Sequence, residues 1–429
     1  MKPATLFSAV MVGTVTASVG IVGPAAFADQ DYPSWNDVQK AKQSEATKRV
    51  EIDKITALLA GLQAASAEAS KASLIAAEAY RVTQDQLDAA TTRESNLIRQ
   101  TDAAQARADT SKMRAGLIAA HLAKAGAQDL SLNLFLNGNS ANDLLHQLGT
   151  ASRLAEQSET IYRQAVQDKN TAESLAEQAA SAQAERERLT AESKATFDKA
   201  NAAAQAAQAV LEAEQKKSSE LYEQLALLKD TTAEAERAYQ TGVDAAAAAM
   251  AFAQAQAAAA VNAAAAAEAA DPVPSDSGSD AGGDSSSGSS GGASSGGYVP
   301  VPNTSAVNTA LGFARAQLGD RYLLNGYGPD VWDCSGLTKA AYAAAGIYIG
   351  THSATNQYNT MAGQGRLVSF SQVQAGDLVF WGSPGNYYHV ALYVGDGQVL
   401  EAANPSQPVR VHSIWSSGDV ASYVGRPSA

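Results

Sequence analysis

Residues 331–346 read VWDCSGLTKAAYAAAG, and this stretch decides how the C-terminal part of the chain folds. Leu337, Ala341 and Ala344 recur at helical spacing, Asp333 is a good N-cap and Gly346 a natural stop, so the pattern predicts a helix beginning at Cys334. The only cysteine of the chain then sits in a first turn, where unpaired backbone N–H groups and the helix dipole favour negative charge. A thiol in that position is set up to react as a thiolate. Taken alone, the same cysteine reads equally well as a small buried hydrophobe.

Working outward from the helix, Val307 to Leu318 reads as a second helix. Asp377–Trp381, His389–Val394, Val399–Ala402 and Val409–His412 read as short strands, with an Asp-Gly turn at 396–397. Residues 303–429 therefore form a domain of ordinary size with an α+β pattern. A thiolate nucleophile needs a base, and the base needs an orienting partner. His121 and His146 lie far upstream and are set aside. His389 opens the strand HVALYVG, and Glu401 lies on the next strand. The two share a face only if the connection has odd parity, for example a three-residue loop with a glycine bulge; a two-residue loop puts them on opposite faces. Asp333 reads as the helix cap, Asp377 as the turn residue of a Gly-Asp pair, and His412 as a solvated strand residue.

Four segments in this order, Asp-Cys-Ser-Gly-Leu at 333–337, Gly-Asp-Leu-Val-Phe at 376–380, His-Val-Ala-Leu-Tyr-Val-Gly at 389–395 and Val-Leu-Glu-Ala at 399–402, resemble the NlpC/p60 family of bacterial cell-wall cysteine peptidases. The resemblance covers roughly the last 120 residues and implies a papain-like core. It implies Cys334 as nucleophile, His389 as general base and Glu401 as the polar residue orienting the histidine. It also implies Tyr322 near the oxyanion site, with Ser335, and His352 and Ser353 along the substrate cleft. Leu323-Leu324-Asn325 departs from the aromatic and glycine pair usual in relatives, which bears on subsite shape. Weighed together with His389 and Glu401, Cys334 reads as catalytic.

Upstream, Ser34 to Ala270 contains no proline and is rich in alanine, glutamate, glutamine and lysine. Ile52, Ile55, Leu59 and Leu62 step by three and four, as do Leu154, Ser158, Ile161 and Ala165, and again Leu221, Leu225 and Leu228. This is a coiled-coil pattern with many alanines at the seam. One helix of that length would exceed roughly 300 Å at about 1.5 Å per residue, so the expected form is an antiparallel hairpin spanning 29–270. Its tip is expected at 126–149, where Gly126, Asn137-Gly138-Asn139 and Gly149 flank a leucine cluster. The cluster either closes the hairpin or docks on another protein. Residues 1–28 read as a secretory signal with an Ala26-Phe27-Ala28 cleavage site, an uncleaved anchor being the alternative. Residues 271–302 read as a disordered Ser/Gly/Asp-rich linker that lets the last domain move.

Of the net charge of −13, the part from 301 onward carries six Lys/Arg against seven Asp/Glu, so −12 lies upstream. That acidity argues against a nucleic-acid partner, and a single cysteine excludes an internal disulfide or a cysteine-based zinc site. The expectation is a multidomain, secreted, cell-wall-associated enzyme that needs no metal or cofactor. By resemblance it cleaves peptidoglycan stem peptides between D-isoglutamate and a diamino acid. The whole architecture resembles division hydrolases of Gram-positive bacteria, including actinobacterial ones, whose stalk engages a membrane complex related to ABC transporters. A cysteine amidase cutting the glycan–peptide bond and a non-catalytic wall-binding scaffold are the alternatives.

Overall fold

The computed structural model describes residues 32–126, 141–269, 301–404 and 407–429. The expected signal at 1–28, most of the expected tip, and the linker up to residue 300 lie outside the described residues. The chain divides into two compact units, one combining the residues up to Val82 with Thr196–Ala429, the other being Thr83–Ala195.

Among the described residues, four helices precede the C-terminal domain: α1 (Trp35–Ala41), α2 (Glu45–Gly126), α3 (Ala141–Lys229) and α4 (Ala233–Ala269). In the unit Thr83–Ala195, Gln84 meets Ser193 at 3.0 Å and Glu94 meets Arg186 at 2.5 Å, while Ser111 bonds Asp168. One partner's number rises as the other's falls, so α2 and α3 run antiparallel. Their seam is made of small residues, with Ala104, Ala108 and Ala172 buried together, as the alanine-rich pattern requires.

In the other unit, Ile55, Leu59 and Leu62 of α2 pack against Val210, Leu221, Leu225 and Leu228 of α3. The sequence pattern predicts two arms; α4 is a third, separate helix. The break has no glycine or proline. It falls at Asp230, whose φ of 57° is left-handed, a conformation that aspartate tolerates better than most residues. Lys42 and Lys48 pair with its carboxylate at 2.7 and 3.6 Å.

The C-terminal domain follows in the order α5 (Thr304–Ala316), β1 (Arg321–Tyr322), β2 (Val331–Trp332), α6 (Cys334–Ala344), α7 (Ala354–Gly363), β3 (Leu367–Ser369), β4 (Leu378–Ser383), β5 (Asn386–Gly395), β6 (Gln398–Glu401), β7 (Arg410–Ser413) and β8 (Tyr423–Gly425). The last six strands form one sheet in the order β3-β8-β4-β5-β6-β7, antiparallel throughout. The expected helices at 307–318 and from Cys334 are present, as are the four expected strands. The three-residue strands β3 and β8 were not legible, because so few residues carry no period, and α7 was not because its buried face includes the polar Thr355 and Gln357.

Both faces of the sheet are covered. Leu378, Phe380, Val390, Leu392 and Leu400 share a core with Leu337 and Ala341 of α6 and with α5. The alternate residues, Val379, Trp381, Ala391, Tyr393 and Val399, pack instead with Leu74 of α2 and with Phe252 and Ala259 of α4. This explains why β4 and β5 read as continuous apolar runs, not as alternating ones. Asp377 is more than the expected turn residue. It does accept the Gln374 N–H, but its buried carboxylate also forms a two-pronged pair with Arg426, at 2.9 and 2.7 Å.

Candidate active site

Helix α6 starts where the sequence places it. The Asp333 carboxylate accepts from the Gly336 N–H at 2.8 Å, closing the N-cap, and leaves Cys334 buried in the first turn. Gly336 is required by the packing. A Cβ there would stand 2.1 Å from the Gly326 carbonyl oxygen and 2.8 Å from Nε2 of His352, far inside contact distance. Gly336→Ala is therefore expected to lower thermal stability by about 1–3 kcal/mol, as overpacked sites do, and to displace the Cys334 turn. A thermal melt checks this; an unchanged melting temperature would contradict the close approach.

His389 and Glu401 meet despite a two-residue turn. Asp396 and Gly397 are both left-handed, with φ of 53° and 70°, the conformation of a tight hairpin. The register Gly395↔Gln398 then slips to Tyr393↔Val399 and Leu392↔Leu400. The extra residue in β5 is a bulge that restores odd parity and puts Glu401 on the His389 face. Nε2 of His389 donates to Oε2 of Glu401 at 2.7 Å, with both side chains fully buried. The other ring nitrogen, Nδ1, makes no conventional hydrogen bond, and the Cys334 sulfur acts on the imidazole. Trp381 and Trp415 wall the imidazole at 5.1 and 5.4 Å between ring centres.

Burial alone would lower the His389 pKa, but the Glu401 charge and then the Cys334 sulfur outweigh it and push it up to about 10. Burial opposes the Glu401 charge too, yet His389 and His412 hold that carboxyl well below the usual range. The imidazole's share of stability is thus present below its ordinary 6.5 and is lost as pH rises through about 10. His412 is not the solvated residue its strand position implies. Its Nε2 donates to Oε1 of Glu401 at 2.5 Å, and Trp415 Nε1 lies 3.2 and 3.3 Å from the two carboxylate oxygens.

The remaining expected site residues surround two side chains of α2 that the sequence reading missed. Arg81 Nη2 donates to Oδ2 of Asp333 at 2.6 Å, and both groups are buried. Tyr322 is buried beside the same guanidinium; burial pushes its phenol up. His352 Nε2 donates to Oδ1 of Asp333 at 2.8 Å. The Glu78 carboxylate accepts from Ser353 Oγ at 2.6 Å and from the backbone N–H groups of Ala354 and Thr355 at 3.1 and 2.9 Å, so it occupies the N-terminus of α7. Ser335 faces inward: its hydroxyl lies 3.3 Å from Asp333 and its carbonyl accepts from Gln357 at 2.8 Å, tying α6 to α7. Arg81 follows Leu74 and Ala77 on the helix face buried toward the domain. A charge on such a face was the available signal.

Residues 319–425 match the NlpC/P60 family; the C-terminal region of this chain is an NlpC/P60 domain. It is similar to protein P54 of Enterococcus faecium, 39% identical over 24% of this chain and 20% of that protein. It is also similar to the peptidoglycan endopeptidase RipB of Mycobacterium tuberculosis, 41% identical over 20% of this chain and 34% of that protein, and to RipA of Mycolicibacterium smegmatis, 39% over 24% and 20%. The matched part thus spans about a fifth to a third of these relatives.

Proposed function

We propose that the chain is a peptidoglycan endopeptidase working by thiol acyl transfer, and that α2 holds it closed. The observation that carries the chemistry is the buried line from Cys334 through His389 to Glu401. A protonated His389 beside Cys334 favours the thiolate, which attacks the carbonyl carbon of a stem-peptide amide. Backbone N–H groups at the start of α6 stabilise the oxyanion. His389 then gives its proton to the leaving amine, and water cleaves the thioester, freeing Cys334. Ser353 and the α7 N-terminus, which take the Glu78 carboxylate here, are suited to a substrate carboxylate. The bond proposed is D-isoglutamyl–diamino acid. The setting is an exported, cell-wall-associated protein in wall remodelling and daughter-cell separation. The far part of the long helices is the proposed contact for a membrane division complex.

Glu78 and Arg81 stand where a substrate must lie, so catalysis requires α2 to move. The product test therefore uses the full chain with Arg81→Glu and a soluble muropeptide, read by mass spectrometry. Fragments ending at isoglutamate are expected. Fragments carrying a newly freed peptide N-terminus at the glycan junction would identify an amidase instead, and binding without any product would leave the scaffold reading. The same protein supplies a pH test. Turnover is expected to hold from neutrality and to fall on the basic side near pH 10, where His389 loses its proton. A basic limb near pH 7 would show that the Glu401 charge does not support the imidazolium.

A further inference from the structure

The Glu401 carboxylate has more partners than a three-residue mechanism uses. His389 on β5 takes Oε2, His412 on β7 takes Oε1, and the Trp415 N–H straddles both oxygens. Arg410, also on β7, is the other charged group that the carboxylate influences. Facing His389 in turn are Glu401 and Cys334. Strand register makes this convergence specific. Val399 pairs with His412 and Glu401 with Arg410, so His412 stands diagonally from Glu401 on the same face.

We propose that His412 and Trp415 are positioning residues that fix the Glu401 carboxylate for His389, a role that rests on the reading of Cys334 and His389 as the working pair. The terminal torsion of a glutamate is broad and roughly two-fold, so one bond to His389 does not set the plane of the carboxylate. A second imidazole on the opposite oxygen does, and the indole N–H between the two oxygens holds that plane. Trp415 is itself held: its ring stacks on Trp381 at 5.2 Å, and its carbonyl accepts from Trp381 Nε1 at 2.7 Å. His412 differs from its partners in exposure. Its side chain is 22% exposed, whereas those of His389 and Glu401 are fully buried. It is therefore the member of the network that can be altered with least disturbance of the core.

The test reads His389 directly. The full chain has five histidines, so a 15N-histidine NMR titration resolves them, with assignment by single substitution. In the unaltered chain and in His412→Gln, whose amide N–H can still reach Oε1, the His389 ring is expected to stay protonated beyond pH 8. In His412→Ala its titration is expected to move down by at least one pH unit. In the Arg81→Glu background, His412→Ala is expected to lower kcat ten- to fifty-fold with KM within twofold. His412→Gln should stay within threefold, and Trp415→Phe should lose three- to tenfold. An unmoved His389 titration in both His412→Ala and Trp415→Phe would overturn the proposal, as would equal damage from His412→Gln and His412→Ala. Failure of the endopeptidase reading shows separately, as turnover that survives Cys334→Ala, while the NMR titration still reports on positioning.

Discussion

Full-length protein carrying Arg81→Glu is expected to hydrolyse muropeptide at least about 30-fold faster than the unaltered chain. The reasoning compares the closed arrangement with one in which α2 has left the cleft. Closed, the Arg81 guanidinium meets Asp333 at 2.6 Å with both side chains out of water. Removing one partner of such a buried pair commonly costs about 3–5 kcal/mol, and the reversed charge adds repulsion with Asp333 and Glu78. Once α2 has moved away, the substituted side chain is solvated and carries no such penalty. A loss of about 3 kcal/mol in the closed form alone raises the open fraction by roughly two orders of magnitude. The closed form also carries its own weakness, since Nε and Nη1 of Arg81 are buried without hydrogen-bond partners. A donor left dry in this way opposes closure by about 1–3 kcal/mol. Equal turnover by the two proteins would remove α2 as the restraint.

In that opened background, Cys334→Ala is expected to reduce turnover by at least about 10³-fold, the scale set by removal of a nucleophile from a concerted catalytic group. Cys334 is the chain's only thiol. Of the serines beside it, Ser335 bonds Asp333, and Ser353 bonds Glu78 only while α2 is closed. Neither is oriented by His389, so neither can take over the attack. Cys334→Ala also leaves His389 and Glu401 in place, so binding and any wall affinity should persist while the isoglutamate-ended fragments vanish. Residual hydrolysis within tenfold of the parent would mean that the chemistry lies elsewhere.

Much of the C-terminal domain was legible because its signals are local. The N-cap at Asp333, the apolar spacing of α6 and the Asp-Gly turn each depend on a few neighbouring residues. The pairing of His389 with Glu401 was legible only as a parity condition on the hairpin. The sequence reading expects a three-residue loop with a glycine bulge, and the structure meets the condition with a two-residue turn and a bulge within β5. His412 was misread because nothing between Ala402 and Val409 fixes how β7 returns beside β6. Glu78 and Arg81 were missed for a deeper reason. Glu78 lies 275 and Arg81 252 residues before its partner, on a helix whose many other charges face solvent. Only docking against α6 and α7 separates these two from the rest. The sheet's second face posed the same difficulty: Val379, Trp381 and Tyr393 are core residues because Leu74 and Phe252 cover them.

The bulge in β5 also restricts how this hairpin can vary. Side chains alternate along a strand, so adding or deleting one residue between His389 and Glu401 turns every later side chain of β6 over. Glu401 would then leave His389, and Leu400 would leave the α6 core it now fills. Two residues added together in the Asp396-Gly397 turn keep the facing of both side chains. Lengths in this connection are therefore interchangeable in steps of two, a parity rule that one-residue gaps should respect wherever the hairpin keeps its chemistry.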